Sequence, residues 1–132
     1  MDHLWAPWRM EYVQTQDKED EKCIFCLDSD QSNDKVNLII KRGEQAFIMM
    51  NKYPYNNGHL MVSPFTHTSE FDELSRDVQV EMMNLLTSSM KCLRNAITPD
   101  GFNMGANFGT VAGAGVKDHL NFHIVPRWDG GT

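Results

Sequence analysis

At 132 residues, with 41% apolar and 23% charged side chains, the chain is long enough to bury one core and short for two, so one domain is expected over residues 1–132. Its formal charge of -6 counts against a nucleic-acid backbone as the main partner, because such binding draws on clustered Lys and Arg. No apolar run approaches the roughly 20 residues that cross a bilayer, and Asp2, Trp5 and Arg9 stand where a secretory signal needs apolar residues, so a cytoplasmic protein without a membrane partner is expected.

In chain order, residues 14–22 are polar and read as a loop, followed by Cys23 and Cys26 in a C-x-x-C spacing. That pair suits a metal or a redox couple. A redox pair belongs at a strand-to-helix junction, whereas this one lies between an acidic stretch and the polar loop 28–37, which favours a metal. Cys92 reads as core. Leu38–Arg42 and Gln45–Asn51, separated by Gly43-Glu44, read as a hairpin, and His59–Ser63 as a third strand ended by Pro64. From Ser75 to Ile97 the residues Val78, Met82, Leu86, Met90, Leu93 and Ile97 recur every three or four positions, one stripe of an amphipathic helix with Ser75 as N-cap and Pro99-Asp100-Gly101 as its stop. Gly101–Phe108 and His119–Val125 complete five strands joined as hairpins, an α+β fold on an antiparallel sheet. In the last strand the two-residue repeat puts His119, Asn121 and His123 on one face, roughly 7 Å apart, and turns Leu120, Phe122 and Ile124 to the core. Before it, Gly113, Ala114 and Gly115 make a loop of small residues whose N–H groups suit an anion.

Four stretches in order, LWAPWRMEYV, CIFC, NKYPYNNGHLMVSP and AGAGVKDHLNFHIVPRW, resemble the histidine triad (HIT) family, in particular its bacterial branch of diadenosine tetraphosphate phosphorylases and hydrolases. The family signature, His-x-His-x-His and two apolar residues, stands here as HLNFHIV, with Asn121 at the central position. The resemblance implies about five antiparallel strands with one long and one short helix, an amino-terminal segment 1–37 tethered by a structural zinc, a nucleotide-binding core at 38–128, and a homodimer. It implies zinc held by Cys23, Cys26, His67 and His119. It also implies ribose contact by Asn51, a catalytic surround of His59, His119 and His123 about the nucleophile position 121, phosphate or ribose contact by Asn107, and phosphate binding by Gly113, Ala114, Gly115 and His123. Family members generally continue with a further tail past the position of Thr132, and any substrate contacts of such a tail lie outside this sequence.

The implied chemistry is a two-step nucleotidyl transfer. A central imidazole attacks the α-phosphorus of a nucleoside polyphosphate, and water or phosphate then releases the nucleotidyl group. The amide nitrogen of Asn121 is delocalised into its carbonyl and lacks the nucleophilic lone pair. The expectation is therefore a nucleotide-binding chain that turns over poorly. Asn121 is either an engineered or a natural replacement, and the otherwise intact pattern around it favours the former. The other function classes in view are a phosphoramidase acting on nucleoside phosphoramidates and a non-catalytic nucleotide-binding module.

Overall fold

The computed structural model describes residues 23–27, 30–52, 58–114 and 118–130. The LWAPWRMEYV stretch, the turn 53–57 and Gly115 lie outside the described residues. Five strands, β1 (Ile39–Arg42), β2 (Ala46–Met50), β3 (Leu60–Pro64), β4 (Gly101–Gly105) and β5 (Phe122–Arg127), form one antiparallel sheet in the order β1-β2-β3-β5-β4. Helix α1 (Arg76–Ile97) packs across β2, β3 and β5.

The two faces of the sheet follow from alternation. Ala46, Ile48, Leu60, Val62 and Ile124 are buried together with Val78, Met82, Leu85, Leu86 and Leu93 of α1, and Leu120 joins them from just ahead of β5. Phe47, Met49 and Met61 face the other way and form a second cluster with Phe25 of the amino-terminal loop. The expected stripe of α1 is buried or half-buried along its length, and Leu85 and Ser89 widen it; Ser89 satisfies its hydroxyl on the Leu85 carbonyl at 2.8 Å. Glu81 ties the helix to the first hairpin by accepting from the Gln45 and Ala46 N–H groups at 2.7 and 2.8 Å.

Both ends of α1 are capped. Ser75 accepts from the Val78 N–H at 3.3 Å, as its position predicts. The chain leaves the helix one residue earlier than the Pro-Asp-Gly stop, at Thr98, which takes a left-handed conformation (φ 43). Trp128 donates its indole N–H to the Thr98 and Ile97 carbonyls at 3.2 and 3.3 Å, satisfying acceptors the helix itself leaves open.

Several expected boundaries shift. β1 and β2 each begin one residue late, β2 ends at Met50 and not Asn51, and β3 runs Leu60–Pro64, placing His59 just before it. β4 ends at Gly105, so Asn107 sits in the loop that follows. β5 begins at Phe122 and continues to Arg127, so His119 and Asn121 precede the strand. For β5 the cause is tertiary: the Leu120 N–H donates to the Thr68 carbonyl at 2.8 Å and its carbonyl accepts from the Ser63 hydroxyl at 2.9 Å, so this stretch bonds to the loop and end of β3. A short helix was expected without a location; the short helical pieces among the described residues are 3-10 turns at Gln31–Asn33, Phe71–Glu73 and Thr110–Ala112.

Candidate functional site

Two clusters of histidines flank residue 121. In the first, Cys23 Sγ lies 3.3 Å from His119 Nδ1, Cys26 Sγ lies 3.1 Å from His67 Nδ1, and Cys26 Sγ lies 3.5 Å from His119 Nδ1. The four candidate ligand atoms all fall within 4.8 Å of one another. Ligands at about 2.0–2.3 Å around a tetrahedral centre stand about 3.3–3.8 Å apart, so the four groups match a closed two-thiolate, two-imidazole metal site. His119 also donates Nε2–H to the Pro64 carbonyl at 2.8 Å, which fixes the ring and leaves the Nδ1 lone pair turned toward the thiols. Phe25, fully buried, packs 5.6 Å from the His119 ring and closes the inner side.

Burial lowers the His119 pKa below 6.5, aided by the nearby His67, so the ring is held neutral as a ligand must be. Burial and the bond to Cys26 push the Cys23 thiol up to about 11, so a cation bound here must displace a proton. With imidazole nitrogens facing both sulfurs, the C-x-x-C pair stands as part of a potential metal site, in keeping with the metal side of the sequence reading.

The second cluster stands on the sheet. The Asn51 backbone extends the β2–β3 ladder through its N–H to the His59 carbonyl at 3.0 Å, and both side chains are buried. Asn51 Nδ2 lies 3.0 Å from His59 Nδ1, and His59 Nε2 lies 2.9 Å from His123 Nδ1. An amide N–H facing Nδ1 puts the His59 proton on Nε2, where it is donated to His123 Nδ1. The proton of a neutral His123 then sits on Nε2. Gly58 (φ +86) brings the chain into this position: a β-carbon there would come within 2.8 Å of Ile97 and Leu93 of α1.

Asn121 lies between the clusters, half-buried, and donates its side-chain N–H to the His119 carbonyl at 3.3 Å. The two-residue repeat holds on the core side, where Leu120 and Ile124 are buried and Phe122 packs against them, but of the three polar residues only His123 stands within the strand, and both ring nitrogens of His119 are engaged by the cysteine cluster and the Pro64 carbonyl. The small-residue loop also differs from expectation. The N–H groups of Gly113 and Ala114 close the 3-10 turn, donating to the Thr110 and Gly109 carbonyls at 3.0 and 3.1 Å, so the anion-facing N–H groups expected of them are spent inside the loop. Sequence reasoning missed the parts played by the Ser63 hydroxyl and the Pro64 and Thr68 carbonyls, which hold His119 and Leu120, because these are contacts between distant segments that no local pattern announces.

This fold with its paired clusters has clear relatives. Residues 11–126 match the family described as "protein similar to CwfJ C-terminal". The chain is 35% identical, over 98% of its own length and 70% of the relative's, to a protein of Mycobacterium tuberculosis named AP-4-A phosphorylase. A hypothetical histidine triad nucleotide-binding protein of Sulfolobus tokodaii superposes with a TM-score of 0.69 at 28% identity, over 82% of this chain and 70% of that one. A zinc-bound histidine triad family protein of Mycobacterium smegmatis shares the fold with a TM-score of 0.67 at 24% identity, over 83% of this chain and 78% of that one. The chain belongs to the HIT-like family. Its relatives include proteins named AP-4-A phosphorylase and adenosine 5'-monophosphoramidase, and among the described residues no helix is long and apolar enough to cross a membrane.

Proposed function

We propose that the chain is the scaffold of a nucleotidyl hydrolase or phosphorylase for dinucleoside polyphosphates such as diadenosine tetraphosphate, silenced at the covalent step by Asn121. The observation that carries this reading is the buried Asn51–His59–His123 relay beside residue 121. Such a relay aims a polarised Nε2–H at whatever occupies the space next to residue 121, which is what a phosphoryl group gaining negative charge requires. In the reading, Asn51 also meets the ribose, Asn107 bonds the phosphate or ribose, and His123 donates to the phosphoryl or bridging oxygen.

With histidine at 121, Nε2 forms a bond to the α-phosphorus while the bond to the remaining phosphates breaks, and the leaving chain is stabilised by His123. Water or inorganic phosphate then attacks the same phosphorus, and the P–N bond breaks in turn. Asn121 reproduces the anchoring of such a ring, through its bond to the His119 carbonyl, without the nucleophilic lone pair. His119 acts through the position of 121 and not on substrate.

Cys23, Cys26, His67 and His119 would hold zinc, which bound by four protein ligands supplies folding free energy and no open position for chemistry. A two-fold dimer completes the reading: β1 and β4 are the sheet edges, and Val80, Met83 and Met104 are 49%, 43% and 49% exposed. The function is tested by Asn121→His with diadenosine tetraphosphate and inorganic phosphate. ADP with ATP marks a phosphorylase and AMP with ATP a hydrolase. No product, with AMP still bound, would leave a binding module; activity confined to nucleoside phosphoramidates would favour the phosphoramidase class.

A further inference from the structure

Arg127 shares a sheet face with His123. Side chains alternate along β5, so residues 123, 125 and 127 point the same way, with about 13 Å between the first and last backbone positions. Trp128, the next residue, confirms the sense by reaching the carbonyl end of α1 on the opposite face. In β4, Gly105 stands opposite His123 and Gly101 opposite Arg127. Among the described residues a β-carbon on either glycine would meet nothing within 4 Å, so bare backbone lies beside both residues.

The guanidinium is under-used where it stands. Arg127 Nη1 donates to Asn103 Oδ1 at 3.1 Å, while its Nε is buried without a hydrogen-bond partner among the described residues. No carboxylate pairs with Arg127 among the described residues, although the chain carries a net charge of -6. A half-buried guanidinium that uses one of its five N–H groups among the described residues is only partly compensated for desolvation, and an anion beside it would supply the rest.

Resting on the nucleotide reading above, we propose that Arg127, oriented by Asn103, receives the distal phosphates of the leaving nucleotide and so selects for a long phosphate chain. A monophosphate seated at His123 falls short of the guanidinium. The chain of a dinucleoside tetraphosphate, running over Gly105 toward Asn103, reaches it.

Because Asn121 suppresses turnover, affinities can be read directly on the protein as it is, by titration calorimetry with AMP, diadenosine diphosphate and diadenosine tetraphosphate. Arg127→Gln is expected to weaken tetraphosphate binding about 10- to 100-fold, the worth of a charge-assisted bond, and to leave AMP within about twofold. Arg127→Lys should recover part of the loss. Asn103→Ala, which leaves the cation in place but unaimed, should give a smaller loss with the same dependence on chain length. An equal loss for all three probes, or none for the tetraphosphate, would overturn the assignment. If the unmodified protein binds none of the probes, the nucleotide reading itself fails; if it binds AMP and tetraphosphate alike, only the role of Arg127 does.

Discussion

The two histidine clusters are built from the same kinds of side chain, yet they are held in place by different means. The relay stands on the ladder of β2, β3 and β5: Asn51 and His59 are bonded through their backbones, and His123 lies opposite Met61 in the sheet. The cysteine cluster gathers Cys23, Cys26, His67 and His119 from segments outside the strands, with Cys26 and His67 exposed. A site on strands keeps its shape without a ligand, whereas a site on loops needs its metal to offset the entropy of ordering them. Among the described residues the clusters are joined through His119–Asn121, whose middle residue is pinned at both backbone groups, and through β3, which runs from beside His59 to the Pro64 carbonyl that holds His119. Chemistry and scaffold should therefore be separable by mutation.

The largest separation is expected from Asn121→His. Turnover of diadenosine tetraphosphate should rise by up to about 10⁶-fold, the scale of losing a covalent nucleophile elsewhere. Thermal stability and metal content should stay as they are; a matching change in metal content would mean that the clusters are not independent.

Removing the metal, by chelation or by Cys26→Ser, should lower the unfolding midpoint by more than about 10 °C, as loss of a structural metal does. AMP affinity measured well below that midpoint should change less than about threefold. Acid should act in the same direction. His119 has its pKa depressed by burial, so its neutral form contributes stability that is full above 6.5 and is lost as pH falls toward the lower folded value. Metal affinity, followed by competition with a chromophoric chelator, should fall over the same range, with proton uptake on release.

His59→Phe breaks the relay and leaves Asn51 and His123 facing an apolar ring. The expected cost is about 1–3 kcal/mol of stability and a loss of AMP binding, with metal content unchanged. The smallest effect belongs to Ser63→Ala, which strips the Leu120 carbonyl of a 2.9 Å bond and should cost about 1 kcal/mol in denaturant unfolding. Because it loosens the hinge between the clusters, it is also the variant in which both metal and AMP affinity should weaken together.

Much of this was legible in the residues. The stripe on α1, its Ser75 cap and the hairpin positions follow from periodicity and turn chemistry, which are local. The C-x-x-C pair announced a metal, but its partners lie 41 and 93 positions from Cys26 and came only from the family pattern. What the two-residue repeat misjudged was the entry to β5, because Ser63 and Thr68 claim the Leu120 backbone that strand pairing would otherwise use. The same tertiary contacts explain why His119 faces the cysteines. The Gly113–Ala114 turn was hidden for a related reason: small residues permit both an anion loop and a tight turn, and composition does not say which N–H groups are spent closing it.

The most direct test is mass spectrometry of the Asn121→His protein mixed with diadenosine tetraphosphate and quenched in base, where a phosphoramidate survives. The account requires an adenylyl adduct on residue 121 that disappears when phosphate is supplied or water turns it over. Product formed with no adduct at that residue, or an adduct on His119 or His123 instead, would contradict it.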